Sequence, residues 1–351
     1  MSDFRFTDLV VDRLDHTFCT YSTAFRSALE VIRASPVPAE YVDAVIEHRR
    51  GAEESYVEIL KELAHPSVTG ELPIMLRALH SATASFSLRD CRVPTREEIL
   101  VGLFRGAISE ALNLQNARLM EYKMTLPRPR LFAVDLNIAG REGRTGGDIA
   151  FIFDVRMPDG KRLLVPICLQ AKRATPKTGA TVNIERTNKE DQTGDHQLRQ
   201  LEKFEKAGCN CAYLFFNNDL ERVIDEPILP LVKTTDDIRG GTNPMNVDLA
   251  SNSIDFASYV LHLLSRRINT VSSVSGLENI VATLAEGKVS HLALISPRPE
   301  AWQQILSFTK RARKHYVDHR PDTKVDFASA MAETNSYAPR TEGRSHDYTY
   351  K

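Results

Sequence analysis

The chain has 351 residues, enough for one large core or two modest ones, and its 42% hydrophobic and 26% charged residues are ordinary for a soluble globular protein. A net charge of -1 and a pI near 6.8 exclude attraction of a polyanion through the overall field, so any nucleic-acid contact has to come from a local basic patch. No basic-then-apolar leader opens "MSDFRFTDLVVDRLD" and no window reaches the roughly 18 apolar residues that span a bilayer, so the expected location is cytoplasmic, without membrane contact.

In the first third, Val10, Leu14, Phe18, Tyr21, Phe25, Leu29 and Ile32 recur three or four residues apart, which predicts a helix over 5–34 that Pro36 and Pro38 end. Further helical runs over 39–63 and 74–85 make 1–90 a helical accessory region, and it carries no catalytic constellation. Thr95 with Glu98 three positions on forms a capping box, so a helix starts there and runs through "ILVGLFRGAISEALNLQNARLMEYK". "RPRLFAVDLNIAG" reads as a strand and "GREGRTGG" as a loop, and "DIAFIFDVR", "PDG" and "KRLLVPICLQAK" read as strand, turn and strand. A polar stretch over 173–195 precedes a helix, "HQLRQLEKFEKAG", and an apolar strand, "CAYLFFNN". Helices at "SIDFASYVLHLLSRR", "GLENIVATLAEG" and "PEAWQQILSFTKRARKHYV", with a strand at "SHLALIS", complete an α/β domain over 91–325. The segment 326–351, with little periodicity and few apolar residues, reads as a disordered tail. Five scattered cysteines make no disulfide framework, and Cys209 and Cys211 alone lack the second pair that a zinc site needs, so they read as half-buried thiols.

The hairpin is the informative element. With a three-residue loop, Pro158 and Asp159 in a type I turn and Gly160 left-handed, Met157 faces Lys161 and, counting outward, Asp148 faces Gln170. Alternation then puts Asp148, Ala150, Ile152, Cys168, Gln170 and Lys172 on one face, and Ile149, Phe151, Phe153, Val155, Leu163, Val165, Ile167 and Leu169 on the other. The second face is core, whereas the first turns polar at the end away from the turn. A two-residue loop would instead pair Asp148 with Ala171 and scatter the group. The competing account of Asp148 and Lys172 is a surface ion pair worth about 0–1 kcal/mol. On the preceding helix Glu110 falls at the edge of the apolar arc of Leu100, Phe104, Ala107, Ala111 and Leu114, and Glu121 lies at a similar angle; either is also explained as a snorkelling edge residue.

A helix Glu, an Asp at the start of one strand, and Gln-x-Lys at the end of the next, followed by helix and strand, resembles the PD-(D/E)XK nuclease superfamily. Gln170-Ala171-Lys172 is similar to the Gln-x-Lys variant of Mrr-type restriction nucleases and related phage-defence effectors. The resemblance covers about 110–218 and implies a restriction-endonuclease-like core, a mixed central sheet flanked by helices in the order α-β-β-β-α-β. It implies Mg²⁺ or Mn²⁺ held by Asp148, Glu110, the Gln170 side chain and the Ala171 backbone carbonyl, with Lys172 orienting a water and offsetting charge. Gln170 in place of the commoner acid lowers the formal ligand charge from three negatives to two.

Arg173, Lys177, Arg186 and Lys189 in the loop after the hairpin are candidate phosphate contacts, and Gln197 on the next helix is a candidate supporting residue. The function so implied is a metal-dependent DNA endonuclease, in restriction or anti-phage defence, with DNA as partner. A sensor or NTPase protein is a candidate second partner, and a homo-oligomer is allowed. The alternative is a degenerate nuclease fold serving as a nucleic-acid-binding or subunit-interaction module, which Gln170 favours; a third reading is a purely structural interaction protein.

Overall fold

The computed structural model describes residues 70–121, 126, 128–136, 147–157, 160–175, 181–185, 195–223, 229–241, 244–249, 253–287, 289–313 and 316–320. The expected helices over 5–34 and 39–63, and the segment from 321 onward, lie outside the described residues. The elements run α1 (Glu71–Arg89), α2 (Glu97–Glu121), β1 (Arg130–Asp135), β2 (Gly147–Arg156), β3 (Arg162–Ala174), β4 (Thr181–Asn183), α3 (His196–Lys206) and β5 (Asn210–Asn217). They continue with β6 (Leu231–Thr234), α4 (Thr235–Arg239), β7 (Asn246–Asp248), β8 (Ile254–Asp255), α5 (Phe256–Arg266), α6 (Glu278–Glu286), β9 (Val289–Ser296), α7 (Pro299–Ala312) and β10 (Val317–His319). Leu100 N donates to Arg96 O at 3.0 Å, so α2 begins within one residue of the expected Thr95 cap.

The protein is α/β, with a large mixed sheet between two helical layers. Eight strands lie in the order β10-β1-β9-β2-β3-β5-β6-β8. The β2/β9 and β3/β5 pairs are parallel, and β1/β10, β1/β9, β2/β3, β5/β6 and β6/β8 are antiparallel. The chain order α2-β1-β2-β3-α3-β5 follows the expectation except for β4, which intervenes before α3 and pairs with β7 in a separate two-stranded sheet; β1 and β2 are not neighbours, because β9 from the C-terminal part lies between them. A parallel partner for β2 needs a long connection, and here the chain through α3, α5 and α6 provides it.

Odd-numbered residues of β2 and β3 meet one layer. Ile149, Phe151, Phe153, Ile167 and Leu169 pack with Leu79 and Phe86 of α1, Phe104 and Ile108 of α2, and Phe256 of α5. Phe104 sits edge-on to Phe86, Phe216 and Phe256 at 5.1–5.7 Å between centroids, an aromatic joint that fixes α2 against the sheet. Because α1 shares this core, the expected accessory region 1–90 ends in a helix that belongs to the α/β body. Even-numbered residues meet the second layer, where Ala150, Ile152, Cys168 and Leu164 pack with Leu201 and Phe204 of α3, Val281 of α6 and Trp302 of α7. Among the described residues no helix is long and apolar enough to cross a membrane.

Candidate functional site

The hairpin register follows from its turn. Met157 N donates to Lys161 O at 2.8 Å, Gly160 N donates to Met157 O at 2.9 Å, and Gly160 has φ +81°, the left-handed residue of a three-residue loop. Arg156 then pairs with Arg162 and Ala150 with Cys168, as expected, and the next even rung brings Asp148 to Gln170. Asp148 Oδ2 accepts from Gln170 Nε2 in a close contact and from Ala171 N at 2.7 Å. Asp148 and Lys172 are half-buried, and Gln170 is fully buried.

The sheet extends this cluster into a polar row. Parallel pairing of β3 with β5 sets Tyr213 beside Gln170 and Phe215 beside Lys172, and antiparallel β6 sets Lys233 beside Tyr213. On the other flank, β9 places Ser290 level with Asp148, between the rungs Gly147–Val289 and Ile149–His291. Five neighbouring strands therefore offer Ser290, Asp148, Gln170, Tyr213 and Lys233 at one level of one face. Lys233 is buried and donates to Asp248 O at 2.6 Å; burial lowers its pKa, opposed by Asp248 and Asp237. Helix α3, whose first turn carries buried Gln197, packs on this face through Leu198, Leu201 and Phe204.

Gln170 Oε1 at this site and Gln197 Oε1 on α3 have no hydrogen-bond partner, and both are sealed from solvent. Burial pushes the Tyr213 phenol pKa upward, and the negative charges of Asp148 and Asp195 push it further. Cys209 and Cys211, expected to be half-buried, are fully buried with Cys168 beneath the row. Burial raises the Cys168 and Cys211 thiol pKa values, which leaves them as inert packing groups.

Not every expected residue joins the cluster. Glu110 is 64% exposed and pairs with Arg89 of α1 at 3.2 Å, on a helix that covers the opposite face of the sheet from Asp148. Glu121 is exposed at the last turn of α2. Arg173, expected in a loop, lies within β3, because pairing with β5 through Arg173–Phe216 and Ala174–Asn217 prolongs the strand, and alternation turns it to the face away from Lys172. Lys177, Arg186 and Lys189 lie outside the described residues. Among the described residues no group of three or more His, Cys, Asp or Glu side chains is placed to hold a metal ion.

Sequence reasoning missed Tyr213, Lys233 and Ser290. Tyr213 sits in "CAYLFFNN", which reads as uninterrupted core, and only the β3/β5 register shows that its ring lies beside Gln170. Comparison of the chain with family models, with curated proteins and with solved structures finds no match.

Proposed function

We propose that the chain is a metal-dependent nuclease that hydrolyses phosphodiester bonds in DNA, with Asp148, Gln170 and Lys172 as its reactive group. The observation that carries this reading is the hydrogen-bonded junction of Asp148, Gln170 and Ala171 at a sheet margin, with Lys172 one rung further along the same face. The donor chemistry fits a hard cation. Asp148 is a carboxylate held by neutral amides, and Gln170 Oε1 is a buried oxygen without a partner. Asp148, Gln170 Oε1 and the Ala171 carbonyl would hold Mg²⁺ or Mn²⁺. Such an ion supplies an acidified water and neutralises phosphate charge when bound.

The chain's own residues do the rest. Ala171 N and Gln170 Nε2 fix the Asp148 carboxylate, so no reorganisation is needed at the moment of reaction. Lys172 contributes a positive charge to the pentavalent phosphate and an ammonium donor to the attacking water. Gln170 takes no proton, so it orients and does not act as a base.

A second reading has its own support. With Glu110 engaged by Arg89, and no group of three or more His, Cys, Asp or Glu side chains among the described residues placed to hold a metal ion, a nuclease-like fold that binds nucleic acid without cutting it is the second reading. The assay that separates them incubates the full chain with supercoiled plasmid and Mg²⁺ or Mn²⁺, beside Asp148→Asn and Lys172→Ala. The nuclease reading expects nicking or linearisation, reduced about 10²–10³-fold by Lys172→Ala and abolished by Asp148→Asn. Cutting that survives both substitutions removes this site from the reaction. Salt-sensitive DNA binding with no cutting in either metal favours the second reading.

A further inference from the structure

Helix α2 is apolar on the side turned away from the sheet as well as on the side that meets it. Ile99, Leu103, Gly106, Glu110 and Asn113 step alternately by four and three residues along its outer face, and Leu114 and Met120 continue the row. Ile99 is 54% exposed, Leu103 37%, Leu114 44% and Met120 41%. Single apolar side chains on a surface are ordinary, but a row of them along one helix face marks a contact surface. Gly102 and Gly106 add an independent sign. A glycine inside a helix costs about 1 kcal/mol against alanine, and a Cβ at either position would meet no atom within 4 Å, so the described packing of α2 does not call for them. On an outer face, absent side chains make a notch that admits another helix.

Charge selects the occupant. In the middle of the row Glu110, 64% exposed, pairs with Arg89 of α1, 55% exposed, at 3.2 Å. The row is apolar on both sides of this pair, with Ile99 and Leu103 toward one end and Leu114 and Met120 toward the other. Such a face complements itself when turned about a twofold axis at its charged centre. We propose that a second copy of the chain packs here, α2 against α2 in antiparallel, about a twofold axis beside Glu110. Ile99 of one copy then meets Met120 of the other, Asn113 enters the notch at Gly106, and each Glu110 comes within reach of both Arg89 guanidinium groups. A parallel pairing would set Gly106 against Gly106 and leave the notch empty, and opposed helix dipoles also favour the antiparallel sense. A charged pair within an apolar seam fixes its register. Because α2 covers the sheet face opposite Asp148, both Asp148 clusters lie on the outer sides of the pair, and the dimer does not depend on the nuclease reading.

The test is sedimentation equilibrium of the full chain. A species of twice the 39.4 kDa chain mass is expected, with a dissociation constant of about 1 µM. Gly106→Arg raises helix propensity and meets no atom within one copy, so it is expected to keep the parent's circular dichroism spectrum while weakening the dimer at least about 30-fold. Glu110→Arg gathers like charges at the axis and is expected to weaken it at least about tenfold. Arg89→Glu combined with Glu110→Arg exchanges the two signs and is expected to return the dissociation constant to within about threefold of the parent. A chain that is monomeric at about 100 µM overturns the inference and leaves the face to residues 1–69 or to a different protein. A dimer that Gly106→Arg leaves intact is built on another surface and overturns it too. A double exchange no tighter than Glu110→Arg alone overturns the twofold axis at Glu110.

Discussion

Strand β2 carries two aspartates on one face, six residues apart, and they are treated in opposite ways. Asp154, near the turn, has a fully buried side chain that takes both Arg162 nitrogens at 2.7 Å, Ser296 Oγ at 2.6 Å and Arg298 Nη1 at 3.0 Å. Arg298 also holds Glu71 at 2.6 Å, whose other oxygen accepts from Arg156 N, so two acids and two arginines tie the start of α1 to β2, β3 and the segment before α7. Asp148, at the far end, is half-buried, and its described hydrogen bonds come from the Gln170 and Ala171 amides. A carboxylate saturated by guanidinium groups has its charge spent on the fold. Asp148 instead accepts from two neutral amides, and this contrast in described donors, more than burial alone, distinguishes a structural acid from a candidate reactive one.

The largest expected effect breaks the structural end. Asp154→Ala strands the Arg162 and Arg298 guanidinium groups with one partner fewer, and loss of one member of a buried ion pair costs about 3–5 kcal/mol. Urea unfolding should show this as a large fall in midpoint. At the other end, Asp148→Asn should change stability by less than about 1 kcal/mol. The new amide oxygen still accepts from Ala171 N, and a half-turn of the Gln170 amide lets its orphaned Oε1 accept from the new Nδ2. Equal losses at the two ends would erase the distinction drawn between them.

A third strand acid lies between these extremes. Asp135 on β1 accepts from Arg105 Nη1 and His291 Nδ1 at 2.6 Å and from His319 Nε2 at 2.7 Å, which links α2, β9 and the edge strand β10. Burial raises its carboxyl pKa, but the His291 and Arg105 hydrogen bonds outweigh that and hold it well below the usual carboxylate range. A depressed folded pKa contributes stability that is present above the unfolded value of about 4 and lost as pH falls toward the folded one. Asp135→Asn should therefore cost about 2 kcal/mol near neutrality and progressively less in acid. Trp302, the only tryptophan, donates to Asp318 of β10 at 3.1 Å, so its fluorescence reports release of the edge strand in the same titration. An Asn variant whose loss is the same at every pH would show that Asp135 acts through packing and not through charge.

How much of this the sequence reveals depends on range. The β2/β3 hairpin is legible because one short turn sets its register, and that register alone brings Asp148 to Gln170. Its other polar end is not legible: Asp154 reads as a polar residue near a turn, and Arg298, 144 positions away, gives no local sign of meeting it. The same limit hides Tyr213 beside Gln170 and β9 between β1 and β2, since both depend on parallel pairs closed by distant crossovers. Glu110 is legible as an edge residue, but its Arg89 partner lies 21 positions away on the adjoining helix, and no periodicity of α2 alone finds it.

A more modest effect than those at Asp154 and Asp135 falls on the turn that favours the β2/β3 register. Gly160 holds φ +81°, a conformation that costs a side-chain-bearing residue about 1–2 kcal/mol, and a Cβ there would meet no atom within 4 Å. Gly160→Ala should therefore lose about 1 kcal/mol through backbone strain alone. The register should survive, because a one-residue slip would turn Ile149, Phe151, Phe153, Val165 and Ile167 away from the core they build with α1, α2 and α5, a far larger cost. The check is a urea midpoint with the cross-strand nuclear Overhauser contacts of Ala150 with Cys168 in the same sample, since those two residues are paired in this register. A lower midpoint with those contacts retained means that the core fixes the register and the turn only favours it. Lost contacts would make the turn the sole determinant, and Asp148 would then owe its place beside Gln170 to one glycine.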